Sequence, residues 1–192
     1  MSLRSTYAAS MLLAALLLTA MAASLFLGYA PLGVGEVFQA LIGAGDERYI
    51  FIVQDIRAPR IVLGAMVGGS LGLAGAAIQG LLRNPLADPS VIGVSSSAGL
   101  GAVVAIYYGF AASSAIIVPV FAIGFAVAAM LVLVWLAGKD ASILTLILAG
   151  VAISSLAAAL TSLAMNLSPN PFSLNDIILW LLGSLANRSF TE

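Results

Sequence analysis

From Arg60 to Arg83 the chain carries no charged side chain, a run of about the 20 residues that a helix needs to cross a bilayer. Within it glycines stand at 64, 68, 72 and 80, and Ala76 completes the four-residue series. Residues four apart share a helix face, so the series is a ladder of small side chains that lets helix backbones approach closely. Lipid supplies no hydrophobic drive for helices to associate, and close packing of such faces takes its place. Glycine also lowers helix propensity by about 1 kcal/mol per residue, so a helix of this kind needs neighbours. The expectation is a central helix over 61–82, the least lipid-exposed of the chain, packed through Gly64, Gly68, Gly72 and Gly80.

The helix must stop near Arg83. Asn84-Pro85 and Asp88-Pro89 are two X-Pro steps four residues apart, and each pushes its first residue out of the helical region. Arg83 suits the stop, because a cation is favoured at a helix C-terminus. Ser95, Ser96 and Ser97 then offer N-cap hydroxyls to the next apolar run. The chain is expected to turn at the membrane surface through a polar hairpin and to re-enter.

These residues together carry a resemblance. Arg-Ala-Pro-Arg at 57–60, the small-residue helix, and QGLLRNPLADPSVIGVSSSAG over 79–99 resemble the FecCD family of ABC-importer permeases, which bring vitamin B12, haem and iron-siderophores into bacteria. Further matches lie at Leu148-Ala149-Gly150-Val151-Ala152 and at Trp180-Leu181-Leu182-Gly183-Ser184-Leu185. The resemblance implies an all-α integral membrane protein whose five spans form part of a ten-helix importer fold. It makes this chain the N-terminal half of such a permease, as a fragment, a truncated product or one piece of a split permease. Implied partners are a second permease copy in a homodimer, two cytoplasmic ATP-binding subunits, and a periplasmic or lipid-anchored substrate-binding protein. The implied location is the bacterial cytoplasmic membrane.

Composition agrees and excludes much else. Of 192 residues 62% are hydrophobic and 8% charged, against about 25% charged in soluble domains, so membrane lipid is the surrounding partner. With neither Cys nor His, disulfides, thiolate or imidazole metal sites and Ser-His or Cys-His catalysis are all excluded. The residues call for no metal and no cofactor. A net charge of −1 without a basic cluster gives no reason to propose nucleic acid. No GxxxxGK[ST] loop is present, so ATP hydrolysis by the usual P-loop route would fall to other subunits. An ion-coupled secondary transporter usually carries ionisable residues inside its spans, and here they have none. No nucleophile-base pair or carboxylate dyad is buried in a span, which disfavours an intramembrane enzyme. A non-transporting membrane fragment or scaffold is the remaining alternative.

In chain order, 7–29 is the first span, too long for the 7–15-residue core of a usual signal peptide. Residues 31–59 are the one substantial polar segment, read as two short amphipathic helices on the surface around the Gly43–Asp46 turn. After the central helix come spans over 91–112, 115–137 and 142–167, and then a short helix over 174–185. Lys and Arg do not settle the orientation. Arg4, Arg83 and Lys139 fall on one side, and Arg48, Arg57, Arg60 and Arg188 on the other. The resemblance implies that the N-terminus is inside.

Three sets of candidate site residues follow. Arg57 and Arg60 flank Pro59; by themselves they read as headgroup anchors, and the resemblance implies that they dock acidic residues of the binding protein. Asn84, Pro85 and Leu86 read as a helix-stop turn, to which the resemblance adds a cytoplasmic gate. Lys139, Asp140 and Ser142, in the short connection before the last span, form a second candidate gate. Gln79 and Ser154 are candidates for lining the pathway, with an interhelical hydrogen bond the plainer role for Gln79.

Overall fold

The computed structural model describes residues 3–138, 142–168 and 171–186, and every regular element among them is helical. The order is α1 (Leu3–Phe26), α2 (Val34–Leu41), α3 (Glu47–Ile50), a π-helix (Phe51–Arg57), α4 (Ala58–Leu82), a 3-10 turn (Pro89–Ile92), α5 (Val94–Tyr107), a second 3-10 turn (Phe110–Ala112), α6 (Ile117–Ala137), α7 (Ile143–Asn166) and α8 (Pro171–Leu182). Four helical stretches are long and apolar enough to cross a membrane: Ser5–Phe26, Glu47–Leu82, Ile117–Ala137 and Ile143–Asn166.

The expected third span differs. Over 91–112 the α-helix occupies only Val94–Tyr107, 14 residues, about 21 Å at 1.5 Å per residue against a hydrocarbon core of about 30 Å. Left-handed backbone at Gly93 (φ 78) and Gly109 (φ 75) ends the helix on both sides. Gly93 is also its N-cap, so Ser95–Ser97 lie inside the first turn rather than capping it.

The polar segment over 31–59 does hold two helical pieces. The first, α2, buries Val37 and Ala40, and Glu36 accepts a hydrogen bond from the Gly33 N–H at 2.6 Å. The second does not stop. From Glu47 the helix runs through the π turn into α4, with Ala58 N–H bonded to the Val53 carbonyl. Pro59 lacks an N–H and would leave a gap in a regular ladder. The wide turn just before it absorbs the mismatch, which is why the proline does not end the helix.

The chain divides into two compact units. One comprises the residues up to Gly69 with the described residues from Leu185, the other Ser70–Ser184. The second is built on α5, which buries Ser97, Gly101, Ala102, Val103, Ala105 and Ile106. Val103 and Ile106 pack with Ile177 of α8, and Val118, Met165 and Trp180 close around them.

Burial within this chain does not reproduce the expected central glycine helix. Among the described residues α5 is the enclosed one, whereas Gly68, Gly72 and Gly80 of α4 are exposed and a methyl on any of them would meet nothing within 4 Å. A methyl on Gly64 would stand 3.5 Å from Leu185 Cδ1. The close approach that the ladder promised occurs on α5 instead. A Cβ at Gly101 would overlap the Phe121 carbonyl oxygen and lie 2.8 Å from Phe125 Cβ. Small residues mark a face suited to packing, but they do not say which neighbour fills it.

Gly101→Ala is accordingly expected to destabilise the chain by about 1–3 kcal/mol through overpacking. Gly72→Ala is expected to leave stability unchanged or raise it by up to about 1 kcal/mol. Thermal unfolding in detergent micelles, followed by helical circular dichroism, checks both.

Candidate functional site

Two ends of α4 gather the residues that the sequence singled out. At the N-terminal end the two arginines have different surroundings. Arg57, the last residue of the π-helix, is only 8% exposed. Its Nη1 donates to the carbonyls of Leu25 at 2.6 Å and Phe26 at 3.3 Å, and its Nη2 donates to the Ala30 carbonyl at 2.5 Å. The last four carbonyls of a helix have no partner within it, and Arg57 satisfies two of them at the end of α1. The guanidinium lies against Gly28, where a Cβ would stand 2.6 Å from Nη2. Gly28 is small because the cation needs its space.

Arg60, three residues on, is exposed. Both arginines border a cavity of about 460 Å³ whose walls include Tyr29, Ile52 and Ile56. The matched pair expected from sequence is thus one exposed cation and one enclosed in backbone carbonyls.

At the C-terminal end the hairpin is tied by its own hydrogen bonds. Arg83 adopts a left-handed conformation (φ 49), rare outside glycine and costing about 1 kcal/mol or more. Its N–H bonds the Gly80 carbonyl at 3.4 Å, and the Asn84 N–H bonds the Gln79 carbonyl at 3.1 Å. This is the Schellman arrangement that pairs the orphan carbonyls of a helix end. Asn84 then accepts the Leu86 N–H on Oδ1 at 2.9 Å, and its carbonyl accepts the Ala87 N–H at 3.1 Å. Pro85 takes the second position of that turn, where its fixed φ is favoured. Leu86 emerges 88% exposed.

Asp88 caps the 3-10 turn by accepting the Ser90 N–H at 2.8 Å. Hydrogen bonds from the Ser90 side chain and backbone hold its carboxyl below the usual carboxylate value.

The remaining candidates are dispersed. Ser142 is the N-cap of α7, accepting the Thr145 N–H at 3.1 Å. Lys139 and Asp140 lie outside the described residues. Gln79 is exposed, and Ser154 is half-buried on α7.

With this geometry in place, the relatives are informative. The model of the FecCD transport family matches residues 15–192. The chain belongs to the FecCD transport family. It is 42% identical over 159 residues to the ABC transporter permease protein YvrB of Bacillus subtilis, covering 80% of this chain and 44% of that one. It is 39% identical over 180 residues to the achromobactin transport system permease protein CbrC of Dickeya dadantii, covering 92% and 51%. A solved transporter described as of metal-chelate ABC type, in an inward-facing conformation, superposes with a TM-score of 0.77 at 31% identity, over 93% of this chain and 52% of that one. The chain spans about half the length of these relatives. It is a multi-pass membrane protein of a family of transport permeases.

Three residues important to the geometry escaped sequence reading. Gly28 has no local signature, since its contact with Arg57 joins segments about thirty residues apart. Gly93 and Gly150 meet across nearly sixty residues, and neither carries a local signal of that contact.

Arg57→Ala leaves two α1 carbonyls and that of Ala30 unpaired. Hydrogen bonds to a charged group are worth about 1.5–3 kcal/mol each; counting the two short ones, a loss of about 3–6 kcal/mol in unfolding stability is expected, with Arg60→Ala near zero. At the hairpin, the lowered Asp88 pKa means that ionised Asp88 stabilises the capped turn above the ordinary carboxyl pKa, and the contribution is lost as pH falls through the lowered value. The protection factor of the Ser90 amide, its exchange rate relative to the intrinsic rate at the same pH, is expected to fall in acid. Asp88→Asn is expected to remove that pH dependence.

Proposed function

We propose that the chain forms the N-terminal half of the translocation pathway of a binding-protein-dependent importer for a metal chelate, in the bacterial cytoplasmic membrane. It pairs with a second permease copy and is driven by separate ATP-binding subunits. The observation that carries the reading is the hairpin: a compact, non-helical turn at the end of a span-length helix, with its backbone paired and Leu86 projecting. In the orientation that the family resemblance implies, this turn lies at the inner mouth. There Asn84, Pro85 and Leu86 act as a gate, Leu86 serves as an apolar plug, and Ser142 stands at the head of a second gate element. Non-helical backbone at such a depth is tolerated where it is buried in protein or lines a cavity.

Support for the cargo class comes from the relatives. Besides achromobactin, matched permeases are named for ferric citrate and cobalamin import, while one is named for molybdate, an oxyanion outside the chelate class. Nothing in this chain would coordinate a metal through thiolate or imidazole, and the stretch between Arg60 and Arg83 is uncharged. A metal passing here travels inside its chelator, sliding along apolar and weakly polar walls such as that at Ser154. Selection among chelates then rests on the binding protein.

At the outer end Arg60 presents its charge to an acidic residue of the binding protein. Arg57 fixes the backbone of 25–30 beside it and so acts as a positioning residue in the docking site. Two outcomes test the proposal in the assembled transporter. Arg60→Glu is expected to weaken binding-protein affinity at least tenfold while membrane insertion is unchanged; unaltered affinity would make Arg60 a headgroup anchor. Leu86→Cys is expected to crosslink between the two permease copies in one nucleotide state and not in the other. Crosslinking in neither state would remove the gate assignment.

A further inference from the structure

The turn that follows the hairpin meets α7 backbone to backbone. Gly150 of α7 lies directly under the 3-10 turn that follows the hairpin. A Cβ there would overlap the Val91 carbonyl oxygen and stand 2.7 Å from Ile92 Cα. The contact is reciprocal. Gly93 has left-handed backbone (φ 78), and a Cβ on it would stand 2.9 Å from the Gly150 carbonyl oxygen and 2.9 Å from Ile153 Cγ2. Both glycines are buried.

One turn earlier on α7, Ile147 packs with Ile92 against a cluster of Ile78, Leu82 and Ala87. That cluster joins the end of α4 to the hairpin, and Ile147 joins both to α7. Glycine is the usual hinge residue, yet Gly93, the glycine nearest the turn on its C-terminal side, is wedged against another backbone. On the other side Arg83 replaces the glycine that a Schellman turn favours and narrows the conformations open to the chain. Pro85 and Pro89 fix two further φ angles. Both flanks of the hairpin are therefore stiff, and the same helix α7 starts at Ser142, the described residue of the second gate element.

We propose that Gly150 is a positioning residue for the hairpin. Through it the hairpin and the first turns of α7, with Ser142 at their head, form one rigid body, so that opening requires this body to shift and not the hairpin to flex. The inference rests on the gate reading for its functional meaning, but the rigidity can be measured without it.

The chain has no cysteine, so introduced thiols report alone. Spin labels at Leu86→Cys and Leu144→Cys, both exposed positions, are read by pulsed dipolar spectroscopy on the chain in lipid nanodiscs. The expected result is a single distance distribution, no broader than that of a reference pair within α7 at 144 and 156. A distribution at least twice as broad as the reference overturns the proposal, and this arm leaves Gly150 unaltered. Gly150→Ala in the same labelled chain is expected to shift or broaden the 86–144 distribution while the 144–156 distance stays fixed. An unchanged 86–144 distribution in that variant would deny Gly150 its role. Failure of the gate reading looks different: narrow 86–144 distances, with position 86 never crosslinking between copies.

Discussion

A backbone N–H or C=O left unpaired in hydrocarbon costs several kcal/mol, and both ends of α4 are arranged around that cost. At its N-terminal side the exposed carbonyls belong to another helix, and Arg57 reaches across to satisfy Leu25, Phe26 and Ala30. At its C-terminal side the chain must leave helical geometry and turn. It does so with Gln79 and Gly80 carbonyls paired to Asn84 and Arg83, and with Asn84 and Asp88 side chains accepting nearby N–H groups. Arg57, Asn84 and Asp88 each supply a partner to backbone groups that a helix end or turn leaves unpaired. Two of the candidate sets, Arg57 with Arg60 and Asn84 to Leu86, therefore flank the uncharged length of the glycine helix.

The same constraint explains what could be read from sequence. The hairpin was legible because its signals are local: two X-Pro steps, an asparagine before a proline and an arginine at a helix end act within four residues. The long apolar helices were legible from run length alone. The fate of Arg57 was not, because Arg57 and Arg60 look alike in sequence and differ only through a contact with carbonyls 27 to 32 residues away. The third span was overestimated because Gly93 and Gly109 read as ordinary small residues until their left-handed backbone ends α5. Ser95–Ser97 looked like caps for the same reason. The glycine ladder names a face suited to packing and not its neighbour: within this chain α5, with Gly101 against α6, is the enclosed helix, while most of the ladder on α4 stands open.

That open face accords with a chain spanning about half the length of its relatives. A helix with exposed glycines at 68, 72 and 80 gains little from the neighbours present here, and helix packing is what stabilises such a sequence in lipid. At one end of α4 one arginine is enclosed and the other exposed, and at the other end a stiff turn presents one apolar side chain; the docking and gating roles proposed for these ends rest on those features. Family membership makes the chain part of a family of transport permeases.

The account depends on those two ends lying on opposite faces of the membrane, with the hairpin inward. Labelling with a membrane-impermeant thiol reagent in intact cells tests this directly, using single cysteines at positions 60 and 86 in a chain that otherwise has none. The account predicts that Arg60→Cys is labelled from outside, and that Leu86→Cys is labelled only after the membrane is permeabilised. Labelling of position 86 from outside, with position 60 protected, would contradict it.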